Sequence, residues 1–409
     1  MSNQANKSTS LKILKTLRRA GYQALFAGGC VRDMLLGSRP HDYDIATDAT
    51  PDQVAEIFRR TVMVGAQFGV AMVMQGDLMC EVATFRNDDS YSDGRRPDSV
   101  TFSTPREDAL RRDFTINGMF FDPVKNEVID YVSGQQDLKA GVIRTIGKPE
   151  LRFQEDHLRI MRAVRFAVRL GFKIEPKTQA GIKKFAPQIS KISGERICDE
   201  LTKMFEKNSA HIALTKLGKL KIAQEILPEL FADKKLFTQA VARIERVAKH
   251  KNSTLCLASL LLDLSAGCIK KIIRRWGQSN ELRRAILFCT ANSHLWKTAA
   301  DLDLCDLKKL IANQDFPMLR IIWKANEFLE TQKRTQSIRL SRRINKIDPT
   351  KINPKLFITG DQLKSLGLSE GKQLGKILNA LTNAQLNEEI CSKSQATKLA
   401  KKLIAEQNI

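Results

Sequence analysis

Four apolar residues, Ala24-Leu25-Phe26-Ala27, run directly into Gly28-Gly29 and then into Val31 to Leu36. That order reads as a short strand, a glycine turn and a short helix, which restricts this part of the chain to an α/β arrangement. At such a junction backbone N–H groups and a helix start face one point, where phosphate oxygens can dock. Arg32 adds a charged fork. Nine residues after Asp33 comes Asp42-Tyr43-Asp44. Residues two apart on a strand face the same way, so Asp42 and Asp44 are expected to present both carboxylates to one point, about 7 Å apart along the backbone.

Two like charges held this close repel unless a cation lies between them, and hard oxygen donors suit Mg2+ rather than zinc. A pair of Mg2+ ions about 4 Å apart would activate an attacking hydroxyl on one side and neutralise a triphosphate leaving group on the other. The implied chemistry is in-line nucleotidyl transfer. Acidic pairs in turns are usually solvated, so the weight of this reading rests on the glycine turn before the pair.

Gly28-Gly29-x-Val31-Arg32-Asp33-x-Leu35-Leu36-Gly37, Asp42-x-Asp44 and Thr47 resemble the first motif of the class II template-independent RNA nucleotidyltransferases. That family contains the CCA-adding enzymes of tRNA and the bacterial poly(A) polymerases. The resemblance implies an α/β nucleotidyltransferase head with a DNA polymerase β-like mixed sheet, followed by an all-α neck, body and tail. It further implies Mg2+ as cofactor, ATP and CTP as substrates, and a tRNA or other RNA 3′ end as partner.

A second block, Arg111-Arg112-Asp113-Phe114-Thr115-Ile116-Asn117-Gly118-Met119, sets two guanidinium groups beside Asp113, with Thr115 expected at a helix N-cap. The arginines can serve a nucleotide, or they can be a charged helix end paired with Asp113; the residues leave both open. In the family this segment contacts the bound nucleotide, which implies a site holding Gly28, Gly29, Arg32, Arg111, Arg112, Asp113 and Asn117. The family pattern has Ala where this chain has Gly118, a difference that bears on packing.

A third block, Glu155-Asp156-His157-Leu158-Arg159-Ile160-Met161-Arg162-Ala163-Val164-Arg165-Phe166, has helical spacing, and Asp156, Arg159 and Arg162 step by three along one expected helix. Cytosine and adenine each offer an amino donor beside a ring-nitrogen acceptor, whereas uracil and guanine reverse that order. A carboxylate accepting from the amino group and an arginine donating to the ring nitrogen would therefore take C and A without a template. The resemblance aligns Asp156, Arg159, Arg162 and Arg165 with the family's nucleotide-selecting motif. Glu155 reads as an ordinary salt-bridge partner of Arg159. Ser193 to Leu201 resembles the last family motif, with Ser193 as a cap and Glu195 and Glu200 as partners for nearby arginines.

Val70 to Val82 reads as a hairpin turning at Gln75-Gly76-Asp77. Glu81, a carboxylate in an otherwise apolar strand, is either a third catalytic acid beside Asp42 and Asp44 or the partner of an arginine. Asn87 to Ser103 has no periodicity and is expected to be a mobile loop near the site, where the family has a flexible loop that positions nucleotide. Asp130, Gly134 to Leu138 and Ile143-Arg144 fit a structural role closing the head.

Residues 1–170 carry 24 Lys+Arg and 22 Asp+Glu, whereas residues 171–409 carry 43 and 23. An excess so lopsided is an electrostatic footprint for a polyanion, and RNA is the expected partner. After Leu329 a linker is expected, with Arg339, Arg342 and Arg343 as candidates for RNA backbone contact. Ile358 to Ile377 reads as two short helices about a glycine turn, similar to the tail of bacterial CCA-adding enzymes. No apolar run approaches the ~20 residues of a membrane span, and Met1 to Ser10 lacks a signal-peptide core, so a cytoplasmic, membrane-free protein is expected, with no protein partner implied. Eight dispersed cysteines without Cys-x-x-Cys argue against structural zinc and a disulfide framework. His41-Asp42 spells a phosphohydrolase dyad, but none of the four other histidines forms a second ligand set with it.

The expected organisation is a catalytic head over 1–147, a neck with the nucleotide-selecting motif over 148–205, a body over 206–345 and an RNA-binding tail over 346–409. The expected activity is template-independent addition of CMP and AMP to the 3′ end of tRNA. Poly(A) addition, A-only or CC-only addition, and a non-catalytic RNA-binding protein with a relic head are the alternatives.

Overall fold

The computed structural model describes residues 3–63, 68–89 and 99–407. They form two compact units, Met1–Phe237 with Lys271–Gln278, and Thr238–Lys270 with Ser279–Ile409.

The first unit is built on a seven-stranded sheet. Its strands are β1 (Ala24–Ala27), β2 (Ile45–Thr47), β3 (Thr61–Val62), β4 (Val70–Gln75) and β5 (Leu78–Thr84), and, after β6 (Arg86–Asp88) and β7 (Val100–Phe102), β8 (Met119–Asp122) and β9 (Glu127–Asp130). The order is β3-β4-β5-β2-β1-β8-β9, and β2 and β5 run parallel while the other neighbours are antiparallel. This is the mixed sheet that the family resemblance implies. β4 and β5 form the expected hairpin, with Gly76 at φ +63° in its turn.

Helices cover the sheet. They are α1 (Asn3–Arg19), α2 (Gly29–Leu35), α3 (Pro51–Ile57), α4 (Pro105–Arg111) and α5 (Gly134–Ala140). Ile13, Leu14 and Leu17 of α1 are fully buried, and α1 packs against β1, β2 and β5. Leu25, Ala27, Ala46, Phe85, Ala109 and Phe120 make one buried cluster, each large side chain contributing about 1.5–3 kcal/mol by leaving water. α3 and α4 start at reciprocal caps, Thr50 with Gln53 and Thr104 with Glu107. Asp130 closes the head as expected, its oxygens accepting from the N–H groups of Val132, Gly134 and Gln135.

Two expectations need correction. Thr115 is not a helix cap: it opens a single 3-10 turn, Thr115–Asn117, and its hydroxyl donates to Asp137 at 2.7 Å. The segment Asn87–Ser103 is not irregular at its ends, where β6 and β7 pair antiparallel; residues 90–98 lie outside the described ones.

From Pro149 the first unit is mainly helical, through α6 (Pro149–Glu155), α7 (Leu158–Leu170), α8 (Pro176–Phe185), α9 (Gly194–Phe205) and α10 (Ala210–Lys219); the expected all-α neck is interrupted by a two-residue strand, Lys173–Ile174, that pairs parallel with Val142–Ile143. Phe166, Ile182, Ile189, Ile197, Leu201 and Phe205 are buried as their periodicity implies. Asp156 lies outside α7, at the C-terminal end of α6 with extended backbone. Its carboxylate accepts the N–H of Leu158 at 3.0 Å, ending one helix and starting the next. The third block is therefore two helices rather than one.

The second unit is helical throughout its described residues. Arg243 is buried in it, held by Asp263 and Asn326. The stretch after Leu329 is no linker: the helix Phe316–Thr331 turns at Gln332, in left-handed backbone, into the helix Thr335–Ile344. Near the C-terminus Thr359 and Gln362 cap a short helix, Gly367 turns the chain, and Lys372–Leu386 follows. Ile358, Leu363, Ile377, Leu381 and Ala400 form the core there.

Candidate active site

The strand order dictates where carboxylates meet. Ile45 pairs with Val82 across the parallel β2–β5 ladder, so the residues before them, Asp44 and Glu81, are neighbours. Asp44 remains tied to the sheet by its carbonyl, which accepts the Ala27 N–H at 3.0 Å. Tyr43 turns to the opposite face, buried with its ring 5.3 Å from that of Phe26. The segment Asp42-Tyr43-Asp44 precedes β2 instead of lying in it.

Asp44 and Glu81 line a cavity of about 560 Å³. Gly28, Gly29, Arg32, Arg111, Arg112, Asp113, Asn117, Asp156, Arg159, Arg162 and Arg165 line it as well, so three sequence blocks far apart in the chain converge there. Asp42 does not. Its carboxylate is 72% exposed and receives His41 Nδ1 at 2.8 Å, at the outer side of the Asp44–Glu81 pair. Among the described residues Glu81 makes no ion pair with an arginine or lysine, and it stands beside Asp44 at the cavity.

The cavity carries eight arginines against four carboxylates, the additional arginines being Arg86 and Arg196. Guanidinium groups lining a recess offer forked N–H donors to a polyanion such as a nucleoside triphosphate. Gly28, at φ +70°, lets the backbone pass beneath Arg112: a Cβ there would sit 2.8 Å from Arg112 Nη1. Its N–H donates to the Met119 carbonyl, pinning the turn to β8.

The arginines are held by acids. Buried Asp108 accepts Arg112 through Oδ2, at 2.9 and 3.1 Å, and Arg111 through Oδ1. Asp113 accepts Arg162 Nε at 2.8 Å and Asn117 Nδ2 at 3.1 Å. Burial alone would raise both carboxyls, yet the arginines hold each below the usual carboxylate range. Arg32 is almost fully buried and its fork is largely used within the protein, on Asp33 and on Asn117 Oδ1 at 2.7 Å. Arg165 donates to Glu200 at 2.7 Å, and Arg196 of α9 reaches Asp156 at 2.9 and 3.2 Å. Arg159 pairs with Glu155, as does Arg152. Ser193 makes no side-chain cap.

Asp108 and Arg196 had no role assigned from sequence. For Asp108 a signal existed, since it stands three and four residues before Arg111 and Arg112 on one helix face. Arg339, Arg342 and Arg343 belong to the second unit, where Arg339 pairs with Asp301, Arg343 donates to the Ala300 carbonyl and Arg342 is exposed.

Comparison with known proteins bears on this arrangement. Residues 24–144 match the family described as "Poly A polymerase head domain", and residues 171–234 match "Probable RNA and SrmB- binding site of polymerase A". The CCA-adding enzyme of Ligilactobacillus salivarius is 35% identical over 97% of this chain and 96% of its own length. The chain belongs to the class II template-independent RNA nucleotidyltransferases, the family of CCA-adding enzymes and poly(A) polymerases. Poly(A) polymerase I of Salmonella typhi is 39% identical, but over only 56% of this chain and 52% of that protein. The crystal structure of the Bacillus stearothermophilus CCA-adding enzyme in complex with CTP superposes with a TM-score of 0.79 at 29% identity, covering 98% of both chains.

Nucleotidyltransferases of this family usually use a divalent metal. Among the described residues no group of three His, Cys, Asp or Glu side chains is gathered closely enough to enclose an ion. The donor chemistry nevertheless fits a hard divalent cation, because every candidate is a carboxylate oxygen. Burial, then Glu81 and then Asp42 push the Asp44 carboxyl up to about 6, a repulsion that a cation at the pair would relieve.

Proposed function

We propose that this chain adds CMP and AMP from CTP and ATP to the 3′ end of tRNA. The observation that carries the reading is the meeting of Asp44 and Glu81 with an arginine-lined recess at the Gly28-Gly29 turn. The near end-to-end likeness to a CCA-adding enzyme, against a half-length likeness to a poly(A) polymerase, favours CCA addition over poly(A) addition.

In this reading Asp42, Asp44 and Glu81 are the catalytic acids and would hold Mg2+, chiefly through Asp42 and Asp44. Bound there, Mg2+ would supply charge neutralisation at the triphosphate and acidify the attacking hydroxyl. Gly28 and Gly29 give the phosphates close approach to backbone, and Arg112, with Arg111 beside it, faces their charge. Asp113 and Asn117 orient Arg162 and Arg32.

Asp156 and Arg159 read the base. Asp156 already accepts Leu158 N–H and Arg196, yet a carboxylate has about four acceptor positions and so keeps room for an amino donor. Arg159 has five N–H donors and gives one nitrogen to Glu155 and the Arg152 carbonyl. An amino group and a ring-nitrogen acceptor side by side satisfy this pair, which cytosine and adenine offer and uracil and guanine do not.

We further propose the division into head 1–147, neck 148–205, body 206–345 and tail 346–409, with Arg339, Arg342 and Arg343 on the RNA path. A cytoplasmic location accords with eight cysteines that are all unpaired and with the absence, among the described residues, of any helix long and apolar enough to cross a membrane.

The test is incorporation of labelled CTP and ATP into tRNA lacking its last three residues. Addition of three nucleotides supports the reading, long adenylate tracts on unrelated RNA favour the polymerase, and no incorporation overturns both. Asp42→Ala and Asp44→Ala should each abolish transfer while sparing RNA binding.

A further inference from the structure

A second concentration of positive charge lies within the unit formed by Thr238–Lys270 and Ser279–Ile409. On the helix Phe316–Thr331, Arg320, Lys324 and Phe328 recur every four residues and share one face. Two guanidinium groups from elsewhere converge on Phe328: Arg246 lies 4.0 Å and Arg334 5.9 Å from its ring centroid. Lys249 joins them from the turn after the helix Lys234–Val247.

These five cations share no counter-ion. Among the described residues no carboxylate lies within 4 Å of any of them, although the chain pairs many of its other arginines. Two acids of the helix Phe316–Thr331 are committed elsewhere: Glu327 is buried and accepts the N–H groups of Gln336 and Ser337, and Glu330 pairs with Lys297. The crowding is felt by the groups themselves. Burial, then Arg320, Arg334 and Lys249 hold the Lys324 ammonium below its ordinary range, and burial, then Lys249 and Lys324 do the same for His250.

Like charges gathered without acids repel, and a chain of phosphates relieves that repulsion with release of its own counter-ions. We infer that Arg246, Lys249, Arg320, Lys324 and Arg334 form a docking surface for the phosphodiester backbone of RNA, beside the helix Thr335–Ile344 that carries Arg339, Arg342 and Arg343 and to which Arg320 is joined by its hydrogen bond to Ser341. The stacking on Phe328 holds two of the guanidiniums in place before RNA arrives, so less ordering is lost on binding. The half-buried Phe328 is covered by those guanidiniums rather than presented as an apolar anchor, which favours a polyanion over a membrane. The surface deepens the tRNA reading and depends on it for the identity of the RNA.

The test compares the full chain with the triple variant Lys249→Gln/Lys324→Gln/Arg334→Gln, and with a head control of equal charge, Lys7→Gln/Lys12→Gln/Lys15→Gln. Affinity for tRNA lacking its last three residues is measured from 50 to 200 mM salt, with circular dichroism to establish folding. The slope of log K against log[salt] should fall by about 2–3 in the surface variant, at ~0.9 per lost phosphate contact, and remain wild type in the control. Binding at low salt should weaken at least tenfold, and KM for CTP at saturating tRNA should not change. An unchanged slope, an equal fall in the control, or loss of binding to anionic vesicles with RNA binding intact would each overturn the surface. Wild-type protein that binds tRNA but adds no nucleotide would overturn the proposed activity instead, with the slope comparison still deciding the surface.

Discussion

Asp108 holds Arg112 by two hydrogen bonds, from Nε and Nη2 at 3.1 and 2.9 Å, that converge on its Oδ2, and with Oδ1 it holds Arg111. Asp108 is 1% exposed and does not itself line the cavity, which it reaches through Arg111 and Arg112; its Oδ1 also accepts the Arg86 N–H at 3.4 Å. It is a positioning residue. Asp108→Asn should leave one guanidinium without a charged partner, cost about 3 kcal/mol of stability and raise KM for CTP and ATP about tenfold or more. Asp108→Glu should restore charge without geometry. Steady-state kinetics and thermal unfolding of the three proteins check this; equal KM values would show that the arginines do not need the anchor.

The same acids give the fold a defined acid limit. Asp108 and Asp113 both titrate below their ordinary values because of Arg111, Arg112 and Arg162, despite burial. A depressed carboxyl stabilises the fold above its unfolded pKa of ~3.9, and that contribution is lost as pH falls through the lower folded value. Thermal stability should therefore hold down to about pH 4 and fall steeply below it. Asp113→Asn should be less stable at pH 7 and show a shallower fall on acidification, as measured by unfolding at pH 7, 5, 4 and 3.

Much of this site is legible in the sequence where local geometry suffices. The Gly28-Gly29 turn and the 75–77 hairpin turn depend on neighbours along the chain. Asp42 departs from expectation because His41, one residue away, draws its carboxylate outward. Asp156 departs because its side chain caps Leu158, a competition between side chain and helix that spacing alone does not reveal. Thr115 departs because its partner, Asp137, lies twenty-two residues further on. Arg196 remained without a role because its bond to Asp156 spans forty residues and two helices.

That bond carries its own prediction. Arg196 fixes the carboxylate proposed to read the base, without being required to touch the nucleotide. Arg196→Ala should free Asp156 and reduce discrimination against UTP and GTP about tenfold, while kcat with CTP changes less. Arg196→Lys should restore part of the selectivity through a single bond. Competition between labelled CTP and UTP on one tRNA gives the ratio directly; unaltered discrimination in Arg196→Ala would remove the positioning role.

Gly118 stands where the family pattern has Ala, and the packing accounts for it: a Cβ at this position would lie 2.8 Å from Val132 Cγ2 and 2.9 Å from Ile146 Cδ1. Both are methyl groups at side-chain ends, so the surroundings can yield at a price in strain. Gly118→Ala should cost about 1–3 kcal/mol, and Ile146→Val in the same chain should recover part of it by withdrawing the methyl. Gly194 offers the contrast. A Cβ there would meet the Arg275 carbonyl oxygen at 1.9 Å, a backbone atom that cannot rotate away. Gly194→Ala should therefore destabilise more than Gly118→Ala, with no rescue from any side-chain truncation. Chemical denaturation of the single and double variants separates the two cases; equal losses at both glycines would mean that the start of α9 does not approach Arg275 this closely.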